Sequence, residues 1–166
     1  MKNLLKIMGF VALLMAFCAT SAAAQKKKAD KDTRQWRYEL EAAGVGQQNT
    51  VQLKVWSYSK KAEVALEQAK KNAVHGVVFR GFGSNRPICT SPAAEQEHND
   101  FFKSFFANGG KYLKYVQLVN NGAIGTGDRI KIGKEYKIGV VVIVDKTSLR
   151  KDLEDAGIIK KLGAGF

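Results

Sequence analysis

Cys89 has the residue type and the position of a candidate nucleophile. It stands two residues before Ser91 and Pro92, which are typical of the first turn of a helix. The partial positive charge at a helix N-terminus can lower the pKa of a thiol, and the thiolate is the reactive form. His98 lies about two and a half turns along the same predicted helix, too far away to act as the base for Cys89. The sequence therefore leaves two interpretations of Cys89, the nucleophile of an enzyme or a buried, unreactive thiol.

Two other patterns resemble ligand sites but lack the rest of the site. Glu95 and His98 have the Glu-x-x-His spacing of dinuclear carboxylate sites, which need a second such pair, and His75 has no matching partner. Of the glycine-rich segments, 81–86 lacks the ending of a phosphate loop, and 122–127 leads into a predicted strand where a dinucleotide fingerprint would open a helix. We interpret both segments as turns and expect no metal site and no cofactor.

The remaining functional candidates are aromatic and basic residues that could bind a partner. Trp56 and Tyr58 alternate with the apolar residues of a predicted strand, so they form either an outward aromatic patch or a second covered face. A basic segment before the first strand could attract anionic lipid, lipopolysaccharide or acidic glycan. Its cations are Lys26, Lys27, Lys28, Lys31, Arg34 and Arg37. The predicted binding residues are Lys26, Lys27, Lys28, Arg37, Trp56 and Tyr58.

The hydrophobic pattern indicates an α+β fold in which helices pack on a mostly antiparallel sheet, in the order β-β-α-β-α-β-β-α. Period-two alternation predicts two strands at 36–40 and 51–55, joined as a hairpin. Alanines at helical spacing then predict a helix that starts near Lys60 and ends at Gly76. The apolar segment 77–79 after Gly76 is predicted to be a short buried strand.

The second half of the chain begins with a predicted helix that opens at Ser91. One face of it carries the phenylalanines Phe101, Phe102, Phe105 and Phe106. We expect this face to be core, although two adjacent pairs cover a wide arc and part of it could be exposed for a partner. Strands are predicted at 112–119 and 136–144, and the latter is apolar on both alternations, as in a central strand covered on both faces. A last helix follows Asp145 and ends at Gly157.

The charge of the chain is that of a basic, soluble surface. The 166 residues carry a formal net charge of +12 at pH 7. Most of the basic residues are lysines, which are strongly hydrated point charges, whereas arginine is the residue of bidentate phosphate recognition. This balance favours a solvated surface over a dedicated polyanion site.

The first residues of the chain resemble a bacterial export signal. Two lysines precede an apolar run at 8–17 that is too short to span a bilayer, and small residues up to Ala24 form a cleavage site. Cleavage of the signal would remove Cys18. Because the bulky Phe17 directly precedes Cys18, the sequence favours plain cleavage over lipidation of this cysteine. Cys89 is then the only cysteine left, so no intramolecular disulfide is expected. Nucleic acid is not an expected partner of an exported protein.

The domain boundaries follow from this signal. We predict a signal peptide over 1–24, a flexible basic leader over 25–34 and a single α+β domain over 35–166.

The alanine-spaced helix at 62–73, the segment 77–79 and the late strand at 136–144 together resemble small bacterial envelope modules. The amino-terminal module of the flagellar assembly T-type proteins is one example. The resemblance implies a non-catalytic assembly or binding role and carries no site residues over.

The sequence as a whole predicts an exported bacterial protein, periplasmic or at the outer surface, with a non-catalytic binding or assembly role in the cell envelope. Its expected partner is a protein or another envelope component. The alternatives are a cysteine-dependent enzyme centred on Cys89 and a binder of polyanions or anionic membranes that uses the basic leader.

Overall fold

The structure is a computed structural model, and it describes residue 28, residues 36–91 and residues 93–161. These residues form an α+β fold, which confirms the predicted fold class. The strands are β1 (Tyr38–Ala42), β2 (Thr50–Ser59), β3 (Val116–Leu118), β4 (Arg129–Ile132) and β5 (Glu135–Asp145). The α-helices are α1 (Ala62–Phe79), α2 (Ala94–Glu97), α3 (Asn99–Phe105) and α4 (Lys146–Asp155). The predicted signal peptide and all of the predicted leader except Lys28 lie outside the described residues.

The five strands form one antiparallel sheet in the order β1-β2-β5-β3, and β4 also pairs with β5. The apolar strand β5 is central, as the sequence predicts. In the register of β2 and β5, Trp56 lies opposite Gly139. A Cβ atom at position 139 would lie 3.0 Å from the ring of Trp56, so the indole occupies the space that the glycine leaves free. This close contact favours one register for the two central strands.

The two faces of this sheet have different environments. The covered face packs against the core and α1, and its residues on the two central strands are Leu53, Val55, Ser57, Ser59, Ile138, Val140, Val142 and Val144, each with 2% exposure or less. On the same strands, the open face consists of Gln52, Lys54, Trp56, Tyr58, Lys137, Gly139, Val141 and Ile143. Val141 and Ile143 remain partly exposed. The expectation that β5 is covered on both faces is therefore met on one face only.

Helix α1 continues to Phe79, so the third predicted strand is wrong. Gly81 ends the helix with a φ of +70°, in place of the predicted Gly76. Backbone amides of the later residues Ile88 and Cys89 donate to the last carbonyl groups of the helix, at 3.1 and 2.8 Å. These amides satisfy helix-end acceptors that would otherwise be buried without partners. The β-branched residues near the end of α1 therefore remain helical because of tertiary contacts.

The helix predicted from Ser91 is broken into α2 and α3 at His98, whose backbone leaves the helical region with φ −113° and ψ 34°. Three of the phenylalanines, Phe102, Phe105 and Phe106, are 3–4% exposed and belong to the core, whereas Phe101 is half-buried. The ring of Phe102 lies 4.8 Å from that of Phe79 at the end of α1. Helix α1 therefore lies between the sheet and a cluster of aromatic side chains.

The predicted strand at 112–119 and the predicted last helix differ in how well the sequence located them. The predicted strand at 112–119 is mostly a 3₁₀ helix, Lys111–Tyr115, followed by the three residues of β3. Helix α4 agrees with the prediction, because the side chain of Asp145 accepts a hydrogen bond from the amide of Ser148 at 2.9 Å. Gly157, with a φ of +71°, follows its end as expected.

Candidate functional site

Three of the predicted binding residues, Arg37, Trp56 and Tyr58, lie together on the open face. Trp56 and Tyr58 project from β2 on the alternation opposite to Leu53. The guanidinium of Arg37 lies 4.4 Å from the centre of the Tyr58 ring. The hydroxyl of Tyr58 donates to Glu39 at 2.6 Å, which holds the ring across the first two strands. Both rings thus lie on the face opposite α1, where Tyr58 is half-buried and Trp56 is buried.

Trp56 forms the centre of this face. One side of its ring packs on Gly139, and the ammonium groups of Lys54 and Lys137 lie 5.4 and 5.0 Å from the ring centre. The indole is consequently only 8% exposed although it lies on the open face. Its Nε1 donor is buried and has no hydrogen-bond partner among the described residues. An unpaired buried donor is costly, so its position marks a place where an acceptor would stabilise the protein.

Charged residues of both signs surround the aromatic pair. The ion pairs are Lys137 with Glu39 at 2.6 Å, Lys54 with Asp128 at 2.7 Å, and Arg37 with Glu135. The hydrogen bond from Lys137, and then that from Tyr58, lowers the pKa of Glu39. The same bond to Glu39 raises the pKa of Lys137. The open face therefore carries alternating charges that orient one another, rather than a field of one sign.

Two exposed isoleucines extend the open face at one edge. Ile130 and Ile132 of β4 are 46% and 47% exposed. In the antiparallel register, Ile130 lies opposite Lys137 and Ile132 opposite Glu135, so both share the face of Trp56. The surface thus combines aromatic, aliphatic and paired charged groups along β1, β2, β5 and β4.

Of the predicted basic leader over 25–34, the structure describes only Lys28. Lys28 is exposed, and Lys26 and Lys27 lie outside the part of the chain that the structure describes. Arg37 is engaged by Tyr58 and Glu135 on the open face. Polyanion binding by the leader stays a prediction.

Cys89 lies in an environment that disfavours the thiolate. Its side chain is 3% exposed, and burial raises the pKa of the thiol to about 11, against an opposing effect of Arg150. The neutral thiol is therefore the predominant form at neutral pH, and the thiolate is the reactive one. His75, the histidine that could have approached through the fold, has its two ring nitrogens engaged by Tyr38 and Glu95. His75 therefore does not act as a base for Cys89 in this structure.

A buried polar cluster beside β1 was not expected from the sequence. The hydroxyl of Tyr38 lies 2.6 Å from Nδ1 of His75, and Nε2 of His75 lies 3.3 Å from a carboxylate oxygen of Glu95. Trp36 donates from Nε1 to the other carboxylate oxygen at 3.1 Å, and its ring stacks on His75 at 3.6 Å. Glu95 therefore pairs with His75 and Trp36, and not with His98 as the Glu-x-x-His spacing would have it.

The electrostatics of this cluster favour a neutral histidine. Burial lowers the pKa of His75, although the hydrogen bond to Glu95 opposes this effect. An imidazole that carries its proton on Nε2 accepts from Tyr38 and donates to Glu95, which satisfies all three groups. Burial also raises the pKa of Tyr38. The arrangement anchors the residues before β1 to helix α1, and its members are too far apart in the sequence for any local pattern to have identified them.

Comparisons with known proteins found no match. No family model matches the chain, and neither a curated protein nor a solved structure matches it significantly. The resemblance to flagellar assembly modules therefore stays a prediction. Among the described residues, histidine, cysteine and carboxylate side chains do not gather in groups of three that could hold a metal ion. None of the described helices has the length and apolar character needed to cross a membrane.

Proposed function

We propose that this protein is an exported, non-catalytic binding protein of the bacterial cell envelope, and that the open face of its sheet binds a protein partner. The observation that carries the proposal is the composition of that face. Trp56, Tyr58 and Arg37 are of the three residue types most enriched in the energetic centres of protein interfaces. Arg37 packs on the ring of Tyr58, and Trp56 lies two residues before Tyr58 on the same face of β2. Ile130 and Ile132 add exposed aliphatic area beside them.

The charge pattern favours a protein over an anionic membrane at this surface. Glu39 and Glu135 form ion pairs with cations of this face, and Glu41 lies opposite Lys54 in the strand register. These carboxylates would repel an anionic lipid surface. A protein can present charges of both signs in a complementary arrangement, which gives specificity and a defined register. The unpaired Nε1 donor of Trp56 supports the same conclusion, since a partner carbonyl could accept from it once the covering lysine side chains move aside.

The envelope location rests on the sequence. The predicted signal peptide over 1–24 would deliver the chain outside the cytoplasm. The resemblance to flagellar assembly modules implies the same class of role, a binding or assembly component without catalytic activity.

Site-specific crosslinking in intact cells tests the proposal. A photoreactive phenylalanine analogue is placed at Tyr58 on the open face, and, as a matched control, at Lys151, an exposed residue of α4. We expect a discrete protein adduct from position 58 and none from position 151. Mass spectrometry of the adduct identifies the partner and distinguishes a protein from a lipid.

Charge reversal supplies the second part of the test. Lys137→Glu disrupts the charge pattern of the open face and should abolish the adduct from position 58, whereas Lys151→Glu should leave it unchanged. Equal adducts from both positions, a lipid adduct, or an adduct that survives Lys137→Glu would overturn the proposal.

A further inference from the structure

A second concave surface lies on the side of the molecule that carries Cys89, and the proposed function does not use it. It is a groove of about 600 Å³ between the segment 86–91, the start of α2, helix α4 and residues 158–160. Ile88 and Cys89, 4% and 3% exposed, contribute to its apolar lining. Ile158 and Ile159 are half-buried and add further aliphatic surface. The volume lies within the range of small-molecule sites in proteins.

Cations are concentrated around this apolar lining. Arg86, Arg150 and Lys160 line the groove, and Lys146 donates to the carbonyl of Arg86 at 3.0 Å. Of these four, Arg150 is paired with a carboxylate, that of Glu154 at 2.8 Å. Within the described residues, no carboxylate lies within ion-pair distance of Arg86 or Lys160. Two positive charges at the groove therefore lack a neutralising partner in the described part of the chain.

Lys146 occupies a partly buried position beside this groove, close to the charge of Arg150. Burial, and then the charge of Arg150, lowers the pKa of Lys146. Among the described residues that line the groove, Glu97 is the one carboxylate, and the charge of Arg150 is paired with Glu154. Positive charge thus exceeds negative charge beside an aliphatic surface, and that combination selects for a ligand with both an anionic and an apolar part.

We infer that this groove binds a small anionic amphiphile, with its carboxylate at Arg86 and Lys160 and its aliphatic part against Ile88, Ile158 and Ile159. A free fatty acid and the C-terminal residue of an apolar peptide share this chemistry. Arginine matches the planar carboxylate with two parallel hydrogen bonds, and the aliphatic part is favoured by removal of apolar surface from water. The site is independent of the open face and adds a ligand class to the protein.

Calorimetric titration of the purified protein with decanoate, below its micelle concentration, tests the charge requirement. We expect decanoate to bind at least tenfold more tightly than either decanol, which lacks the charge, or acetate, which lacks the chain. Arg86→Glu should weaken decanoate binding at least tenfold. The matched control is Lys134→Glu, an exposed cation at the turn between β4 and β5, which should leave the affinity unchanged.

The source of the carboxylate is distinguished by a second pair of ligands. An acetylated Leu-Leu dipeptide is compared as the free acid and as the amide. Tighter binding of the acid assigns the groove to peptide termini as well as fatty acids, and binding of decanoate alone assigns it to fatty acids. Binding of neither carboxylate overturns the inference.

Methyl NMR locates the ligand and separates this site from the open face. Decanoate should shift the methyl signals of Ile88, Ile158 and Ile159 and leave those of Ile130 and Ile132 in place. Shifts confined to Ile130 and Ile132, equal affinity for decanol, or an unchanged affinity of Arg86→Glu would each overturn the inference. None of these results depends on whether the open face binds a protein.

Discussion

The covered face and the open face of the sheet are built from the same strands, yet their side chains are in different environments. Those of the covered face are buried against α1, and most of those of the open face stay in contact with solvent. On β5, Val140 and Val142 are 1% and 0% exposed, while Val141 between them remains partly exposed. Both alternations of this strand are apolar, so the residue types do not explain the difference in exposure. It arises because α1 covers only one side of the strand. An apolar residue on the covered face contributes to the core, and one on the open face keeps part of its surface in contact with solvent.

The polar groups of the two faces differ in the same way. On the covered face, Asn72 of α1 donates to Ser57 at 3.0 Å, and Gln68 donates to the carbonyl of Tyr58 at 3.2 Å. These groups are almost fully buried, so their hydrogen bonds have no water to replace them. On the open face, ion pairs such as Lys137 with Glu39 stay in contact with solvent. Loss of a polar partner should therefore matter far more on the covered face.

The largest expected difference comes from one substitution made on each face. Ile138→Ala removes a side chain that is fully buried on the covered face, and should lower the free energy of unfolding by about 2–5 kcal/mol. Ile130→Ala, at the neighbouring register position on the open face, should change it by less than about 1 kcal/mol. Urea denaturation followed by circular dichroism measures both values. Similar losses for the two variants would mean that the open face is also part of the core.

A pair of tyrosines makes the same comparison for hydrogen bonds. Tyr38→Phe leaves Nδ1 of the buried His75 without its partner and should cost about 1–3 kcal/mol of unfolding free energy. Tyr58→Phe removes an equivalent hydroxyl from Glu39, which keeps Lys137 and water, and should cost about 0.5 kcal/mol or less. Denaturation midpoints of the two variants, read against the unchanged protein, give the result. A larger loss for Tyr58→Phe would reverse the assignment of the two faces.

As the pH falls from neutral, the first loss of stability should come from His75, which is buried beside the covered face. The pKa of His75 in the folded state lies below its ordinary value of 6.5, mainly through burial, and Arg80 and Lys71 contribute in the same direction. As the pH falls below 6.5, His75 therefore becomes protonated in the unfolded chain while it remains neutral in the folded chain. Stability should be complete above that pH and decline below it, by about 1.4 kcal/mol for each unit of pKa difference.

Carboxylates add to this loss only at lower pH. The pKa of Glu95 is lowered from 4.5 by the hydrogen bond of His75, and that of Glu39 from 4.5 by Lys137, so their contributions are lost below about pH 4.5. Unfolding free energies at pH 7 and pH 5.5 test the histidine alone. His75→Gln should flatten the difference between these two pH values, and the control His98→Gln, at a half-exposed histidine, should preserve it. A steep pH dependence in His75→Gln would exclude His75 as its source.

The smallest effect is expected from an ion pair of the open face. In a double-mutant cycle of Lys137→Ala and Glu39→Ala, the coupling energy should be about 0.2–1 kcal/mol. It should fall further in 1 M salt, because exposed charges are screened. The same cycle on Asn72→Ala and Ser57→Ala, a buried neutral pair, should give a coupling that does not respond to salt. A salt-independent coupling for Lys137 and Glu39 would show that this pair is less exposed than described.

Local signals were sufficient for the elements whose ends are set by their own residues. Alternating side chains located β1 and β2, a continuous apolar run located β5, and Asp145 with Gly157 located α4. The end of α1 could not be located in this way. Its last carbonyls are satisfied by amides of Ile88 and Cys89, which belong to a later segment. A short apolar run with β-branched residues is ambiguous until such contacts are known.

The candidate site was predictable only in part for a related reason. The alternation of Trp56 and Tyr58 with Leu53 is visible in the sequence, but which alternation α1 covers is decided by packing. The cluster around His75 required three segments to meet, since Trp36 and Glu95 are separated by the whole of β1, β2 and α1. Non-local contacts of this kind leave no periodic signal in one chain.

The pairing of β2 with β5 has a consequence for the time at which this protein can fold. β2 ends at Ser59 and β5 begins at Glu135, so the two central strands meet only after most of the domain has been synthesised. Such long-range pairing slows folding, because a large loop must close before its contacts form. Until then, β1, β2 and α1 lack the strand on which the core is completed. The apolar segment 138–144 belongs to the last strand of the sheet to be synthesised. It is also the part of the sheet most in need of protection from self-association.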